Sequence, residues 1–139
     1  MNFPILSSLI LLPTIGALFL LFSKDKNSNT GKYVALFTSF VNFLISIYLW
    51  YLFDPTTSIF QFIEDRKWIE GFVNYKVGID GISILFIILT TFITPLCIIS
   101  VNNSIRIRLR DFLIAILLME SLMIGVFCSL DLVIFYLFF

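Results

Sequence analysis

Long apolar stretches alternate with short polar ones along this chain. Four of them, at residues 3–22, 33–53, 79–101 and 112–130, are each about long enough for a helix to cross roughly 30 Å of hydrocarbon. A last apolar run, residues 132–139, covers only about 12 Å at helical rise. Because the charges gather between these stretches, the pattern predicts an all-α membrane protein with four transmembrane helices and the start of a fifth, truncated helix.

Residues 56–77, between the second and third predicted helices, show a different pattern. Apolar and polar positions alternate over residues 59–63 as in a strand, and Gly71 and Asn74 are turn-forming residue types. We therefore expect a short hairpin-like segment outside the membrane. Asp80 precedes the third predicted helix and is expected to cap it by accepting a hydrogen bond from an N–H of the first turn.

The composition agrees with a lipid environment. Apolar residues make up 60% of the chain and charged residues 13%, whereas about a quarter of a soluble domain is charged. The net charge of zero argues against a nucleic-acid partner, because phosphate binding needs a concentrated basic surface. The chain has no histidine, which excludes imidazole metal sites and haem ligation by histidine. We expect no metal and no cofactor on this chain.

The two cysteines do not suggest a disulfide. Cys97 is expected near one side of the membrane and Cys128 near the other, about 18 Å apart along the membrane normal at helical rise. A disulfide needs Cα atoms within about 7 Å. Both are therefore interpreted as small apolar residues with free thiols.

Lysines and arginines are distributed unequally between the two sides of the predicted bundle. One side receives Lys24, Lys26, Lys32, Arg106, Arg108 and Arg110, and the other receives Arg66, Lys67 and Lys76. The richer side is expected to face the cytoplasm, or the matrix in a mitochondrion. For Arg106, Arg108 and Arg110, a role in topology and headgroup contact is favoured over binding of a partner subunit or an anionic lipid.

Glu120 is the ionisable residue that lies deep within a predicted helix. A charge there costs at least about 2.5–3.5 kcal/mol on insertion scales, so the side chain is expected to face protein or water. Two interpretations stay open: a carboxyl that relays protons, or a neutral acid hydrogen-bonded between helices. Antiparallel threading brings Asn42, Thr90, Thr91 and Thr94 to a similar depth, as a possible polar layer. For the threonines, a hydrogen bond to a carbonyl of their own helix is favoured.

Three separated segments carry recognisable motifs. They are FDPTT at 53–57 with FQF at 60–62, VGIDGISILF at 77–86 continuing through LTTF at 89–92 to Pro95, and FCSLDLVIFYLFF at 127–139. In this order they resemble the subunit M, or chain 4, family of NADH-quinone oxidoreductase, one of the antiporter-like subunits of respiratory complex I. The resemblance extends over nearly the whole chain.

The resemblance implies a membrane subunit that binds neither NADH nor iron-sulfur clusters and helps to move protons when electron transfer to quinone drives the complex. It implies contacts with other membrane-arm subunits and with lipid, and with quinone only through the complex. The family's channel glutamate follows a Phe-Phe pair, which is where residues 138–139 stand, so no channel residue of the family is carried over. The chain is thus expected to be a single membrane-domain fragment, residues 1–139, that does not pump by itself.

Two rival functions fit the helical pattern. One is a subunit of a multisubunit sodium/proton antiporter, which shares the helical design. The other is a structural polytopic membrane protein without a transport role. The expected location is the bacterial inner membrane, with the mitochondrial inner membrane as the alternative.

Overall fold

The computed structural model describes residues 4–24, 29–101 and 108–139. Within these ranges the elements are, in order, α1 (Ile5–Phe22), α2 (Asn29–Leu52), β1 (Gln61–Ile69), β2 (Val73–Ile79), α3 (Gly81–Ser100), α4 (Leu109–Cys128) and α5 (Leu132–Phe138). In this part of the chain α1 to α4 are each long and apolar enough to cross a membrane. The prediction of a helical membrane protein with one hairpin is confirmed.

Several helix boundaries differ from the predicted ones. Helix α2 begins at Asn29 rather than at residue 33, and α4 begins at Leu109 rather than at residue 112. Apolar runs mark the part of a helix that sits in lipid, whereas backbone hydrogen bonding continues into water wherever the residues tolerate it. At the opposite side the helices are shorter than predicted. Helix α3 begins at Gly81 rather than at residue 79, because the preceding residues belong to β2.

The hairpin of β1 and β2 is antiparallel. Gly71 lies in its turn with a φ of +81°, a conformation that glycine adopts without steric cost. Asn74, expected in the turn, lies instead in β2 opposite Lys67, because the turn closes over residues 70–72. Near the other end, the pairing register shifts between Gln61 and Glu64, and such a bulge changes the direction in which the following side chains point.

The four long helices form a bundle in which each helix packs against the two that flank it. Helix α1 lies against α2 and α4, and α3 lies against the same two helices from the other side. Helices α1 and α2 approach closely at Gly16, where an added Cβ would lie 2.7 Å from Cγ2 of Thr38. A small residue at such a crossing lets membrane helices gain dispersion contacts along their length.

The buried side chains of the bundle form two apolar clusters separated along the helix axes. The cluster on the hairpin side contains Leu6, Leu9, Ile10, Leu49, Val77, Ile79, Ile84, Ile87, Ile124 and Cys128. The cluster on the opposite side contains Ala17, Leu20, Ala35, Ile98, Leu109, Leu113 and Leu117. Cys97 is exposed and Cys128 is buried, and both thiols are free, as predicted.

Candidate functional site

A layer of buried polar side chains lies between the two apolar clusters. Its members are Ser39, Asn42 and Ser46 of α2, Thr90, Thr91 and Thr94 of α3, and Glu120 and Ser121 of α4. Each helix contributes these residues from its middle, between its contributions to the two clusters. The structure therefore brings together the five residues that the sequence suggested for a polar layer, and adds three serines.

Glu120 and Asn42 form the centre of the layer. The Asn42 Nδ2 group donates a hydrogen bond of 2.9 Å to Glu120 Oε1. Glu120 is 1% exposed and Asn42 is fully buried. The other two polar atoms of the pair, Asn42 Oδ1 and Glu120 Oε2, have no hydrogen-bond partner among the described residues. One side of the pair is thus satisfied, and the other has two oxygens facing no donor.

The threonines bond their own helix. Thr90 Oγ1 donates to the carbonyl of Phe86 at 2.8 Å, and Thr94 Oγ1 donates to the carbonyl of Thr90 at 3.0 Å. Thr91 lies within 3.0 Å of two carbonyl oxygens of α3, and its hydroxyl is also 2.8 Å from Ser46 Oγ. The hydroxyls of Thr90 and Thr94 thus donate their hydrogen bonds to the backbone of α3. Toward the layer they can act only as hydrogen-bond acceptors.

The three serines were missed by sequence reasoning. The sequence carries a signal for two of them, Ser39 and Ser46. The buried residues of α2 follow one another at alternating spacings of four and three, which places them on one helix face: Ala35, Ser39, Asn42, Ser46 and Leu49. A stripe of small and polar residues on an otherwise apolar membrane helix indicates a face that packs against another helix. Ser121 carries no such signal, since its partner is the carbonyl of Ile10 on another helix, at 2.7 Å.

A cleft of about 400 Å³ between α3 and α4 borders the polar layer. Glu120, Thr90 and Thr94 line it together with apolar residues, among them Leu89 and Met119. The apolar residues at its rim are about half exposed. Glu120 is therefore buried within the bundle and also forms part of the lining of a mainly apolar cleft.

Helix α1 is capped at both ends by residues from distant parts of the chain. At its beginning the helix has Pro4 in the capping position and no side-chain cap of its own. The Glu64 carboxylate of β1 fills this place: Oε1 accepts hydrogen bonds from the N–H groups of Leu6 at 2.9 Å and Ser7 at 3.3 Å, and Oε2 accepts one from the Ser7 hydroxyl. This contact fixes the hairpin on the end of the bundle.

Arg110 performs the matching function at the other end of α1. Its Nη1 donates a hydrogen bond of 3.0 Å to the carbonyl of Ser23, the residue that caps α1, and Nε lies 3.6 Å from a carboxylate oxygen of Asp111. Arg110 thus holds a helix end in addition to any role in topology. Arg108 precedes α4 with a φ of 58° and makes no side-chain cap, and Arg106 lies outside the described residues.

Asp80 sits at the beginning of α3. Its Oδ1 accepts a hydrogen bond of 2.7 Å from the N–H of Ser83. The backbone hydrogen bond from Ser83, followed by that residue's side-chain hydrogen bond, lowers the pKa of Asp80 below its ordinary value of 3.8. The carboxylate is therefore ionised at neutral pH, where it complements the positive end of the helix dipole.

Comparison with known proteins decides which family this arrangement is related to. Subunit M of NADH-quinone oxidoreductase from Rhodobacter capsulatus is 52% identical over 115 residues, which cover 83% of this chain and 22% of that protein. Chain 4 of NADH-ubiquinone oxidoreductase from Marchantia polymorpha is 43% identical over 135 residues, 96% of this chain and 27% of that protein. The chain is a homologue of subunit M and chain 4. Subunit M of Rickettsia prowazekii is 39% identical over an alignment of 143 residues, which covers the whole of this chain and 29% of that protein.

The resemblance that the motifs suggested is thus confirmed, although no model of a protein family matches the chain. The chain spans about a quarter of the length of the curated relatives it matches. Two of its subunit M motif segments also contact each other in the fold. Gly78 of the segment 77–86 faces Leu130 of the segment 127–139, since an added Cβ at Gly78 would lie 2.8 Å from the Leu130 side chain. The N–H of Leu130 also donates to the carbonyl of Lys76, the residue just before the first of these segments, at 3.0 Å.

Proposed function

We propose that the chain is part of a membrane subunit of NADH-quinone oxidoreductase that takes part in proton translocation driven by electron transfer from NADH to quinone. Its homology to subunit M and chain 4 is the observation that carries this proposal. The chain itself binds no cofactor, and NADH and quinone react on other subunits of the complex. The membrane is the bacterial inner membrane or, as in the plant relatives, the mitochondrial inner membrane.

Glu120 is the residue of this chain that binds a translocated proton. The pair of Glu120 and Asn42 supports this role through its unfilled hydrogen bonds: Oε2 and Oδ1 are both acceptors without a donor. One proton on Oε2 turns that oxygen into a donor, and the unpaired amide oxygen Oδ1 is an acceptor within the same pair of residues. Uptake of a single proton therefore supplies a donor, which both unpaired oxygens of the pair lack.

The surroundings of the pair support a carboxyl that is charged only transiently. Within the described residues no lysine or arginine forms an ion pair with Glu120, so a negative charge there would lack compensation in a medium of low dielectric constant. Thr90 and Thr94 add further acceptors along the neighbouring cleft. Water entering the cleft can donate to these oxygens and carry a proton to or from Oε2.

The proposal is tested in membrane vesicles that contain the subunit in its complex. The variants are Glu120→Gln, which keeps the shape and cannot release a proton, and Asn42→Leu, which removes the amide. Glu70→Gln, an exposed acid in the hairpin turn, is the matched control. The measurements are NADH-driven proton uptake by quenching of a pH-sensitive dye, quinone reduction in the same vesicles, and the amount of assembled complex.

We expect Glu120→Gln to reduce proton uptake per quinone reduced while the complex still assembles, and Glu70→Gln to leave all three measurements unchanged. Unchanged proton uptake in Glu120→Gln would show that Glu120 does not lie on the proton path. A complex that does not contain the chain at all would instead refute membership of the oxidoreductase.

A reporter fused after residue 103 should indicate the cytoplasmic or matrix side, and a signal from the opposite side would reverse the orientation.

A further inference from the structure

A second cleft, of about 590 Å³, lies on the hairpin side of the bundle and is separate from the polar layer's cleft. Its walls come from α1, α4 and α5, and they are mainly apolar: Ile10, Leu11, Leu122, Ile134, Leu137 and Phe138. On α1 it runs from Ser7 to Thr14, about 10 Å at helical rise. The cleft thus extends from the hairpin into the zone where lipid chains lie.

The hairpin end of the cleft carries two cations and a tryptophan. Arg66, Lys67 and Trp68 of β1 line it in succession, and all three are exposed. Neither Arg66 nor Lys67 has a carboxylate within 4 Å in the described part of the chain. Asp65 precedes Arg66 in β1 but does not line the cleft, and Glu64 is occupied by the first turn of α1. The charged side chains that line this apolar cleft are therefore both cations.

We propose that this cleft binds an anionic phospholipid, with the phosphate at Arg66 and Lys67 and an acyl chain between α1, α4 and α5. The charge at the mouth matches a phosphate, which arginine and lysine bind through charge-assisted hydrogen bonds. The apolar walls match a hydrocarbon chain. Trp68 stands where tryptophan side chains are enriched, at the boundary between headgroups and hydrocarbon. The site does not depend on the proposed role of Glu120.

The two tryptophans of the chain provide the assay and its control. Trp50, near the end of α2, does not line the cleft and is half exposed. In Trp50→Phe the fluorescence reports on Trp68, and in Trp68→Phe it reports on Trp50. Each variant is reconstituted into vesicles of phosphatidylcholine with increasing fractions of brominated phosphatidylglycerol or brominated phosphatidylcholine, and quenching is measured.

We expect Trp68 to be quenched by the brominated anionic lipid at lower mole fraction than by the brominated zwitterionic lipid, with a preference of roughly thirtyfold from two nearby cations. Trp50 should show little preference. In the Trp50→Phe background, Arg66→Gln combined with Lys67→Gln should abolish the preference, whereas Lys76→Gln, an exposed cation of β2 outside the cleft, should leave it intact.

Equal quenching of Trp68 by the two lipids would overturn the proposal, and so would a preference that persists without Arg66 and Lys67. Inorganic phosphate is the probe for a site that recognises the anion alone. A lipid site should keep the preference in millimolar phosphate, because the acyl chain adds apolar contacts that free phosphate does not make; loss of the preference would show that the anion alone is recognised and would overturn the lipid assignment. Far-UV circular dichroism of every variant checks that these exposed substitutions leave the helices in place.

Discussion

Replacing Glu64 by alanine removes the carboxylate that caps the beginning of α1. Three donors lose their acceptor: the N–H groups of Leu6 and Ser7 and the Ser7 hydroxyl. Loss of an N-terminal cap costs about 0.5–2 kcal/mol, and loss of a negative charge beside a helix N-terminus costs about 0.3–1 kcal/mol. Since Pro4 offers no substitute cap, we expect Glu64→Ala to lower the free energy of unfolding by about 2 kcal/mol. Glu64→Gln keeps an acceptor and should lose about half as much.

The measurement is an unfolding titration with sodium dodecyl sulfate of the purified chain in mild detergent, followed by far-UV circular dichroism. The control is Glu70→Ala, which removes an exposed acid from the same hairpin without touching α1. Equal stability of Glu64→Ala and Glu70→Ala would refute the idea that the hairpin caps α1. Equal loss in Glu64→Ala and Glu64→Gln would show that the negative charge, rather than the hydrogen-bond acceptor, provides the stabilisation.

Three further predictions use the same titration. Arg110→Gln should cost about 1–2 kcal/mol, because the carbonyl of Ser23 loses a charged donor; an unchanged midpoint would show that this contact contributes nothing. Asp80→Ala should cost about 1 kcal/mol; since hydrogen bonds hold the folded pKa of Asp80 below 3.8, its stabilisation is present above that pH and lost as the pH falls through the folded pKa, a loss that Asp80→Asn should not show in thermal scans. Gly125→Ala should cost about 1–3 kcal/mol, because the new Cβ would lie 2.5 Å from the Phe138 ring; stability equal to the parent chain would mean that α5 moves freely.

The sequence predicted the helices because lipid imposes a simple rule on any chain that crosses it. Backbone groups in hydrocarbon must pair within their own segment, so a long apolar stretch between charges indicates a helix. This logic placed α1 to α4, whereas alternating positions and turn-forming residues predicted the hairpin between α2 and α3. It left the helix ends uncertain by a few residues, as at Asn29 and Leu109, because the transition from lipid to water does not stop a helix.

Depth along a membrane helix is also readable from sequence, and this is why Asn42 and Glu120 were expected at one level. Depth does not say which way a side chain points. Whether Glu120 would meet Asn42 or face lipid was decided by the rotation of α2 and α4 about their axes, which only packing fixes. The same rotation turned Ser121, the next residue, toward the carbonyl of Ile10.

The sequence by itself therefore determined which segments lie in lipid and which in water, from the length of the apolar stretches and the positions of the charges. It also determined the family, from motifs that occur in a fixed order. What only the tertiary structure decided was the pairing of groups far apart along the chain. Glu64 and Ser7 are 57 residues apart and Arg110 and Ser23 are 87 apart, and no local pattern marks either contact. Each exists because the folded bundle brings an unpaired helix end to a charge, and such proximity is a property of the assembled chain.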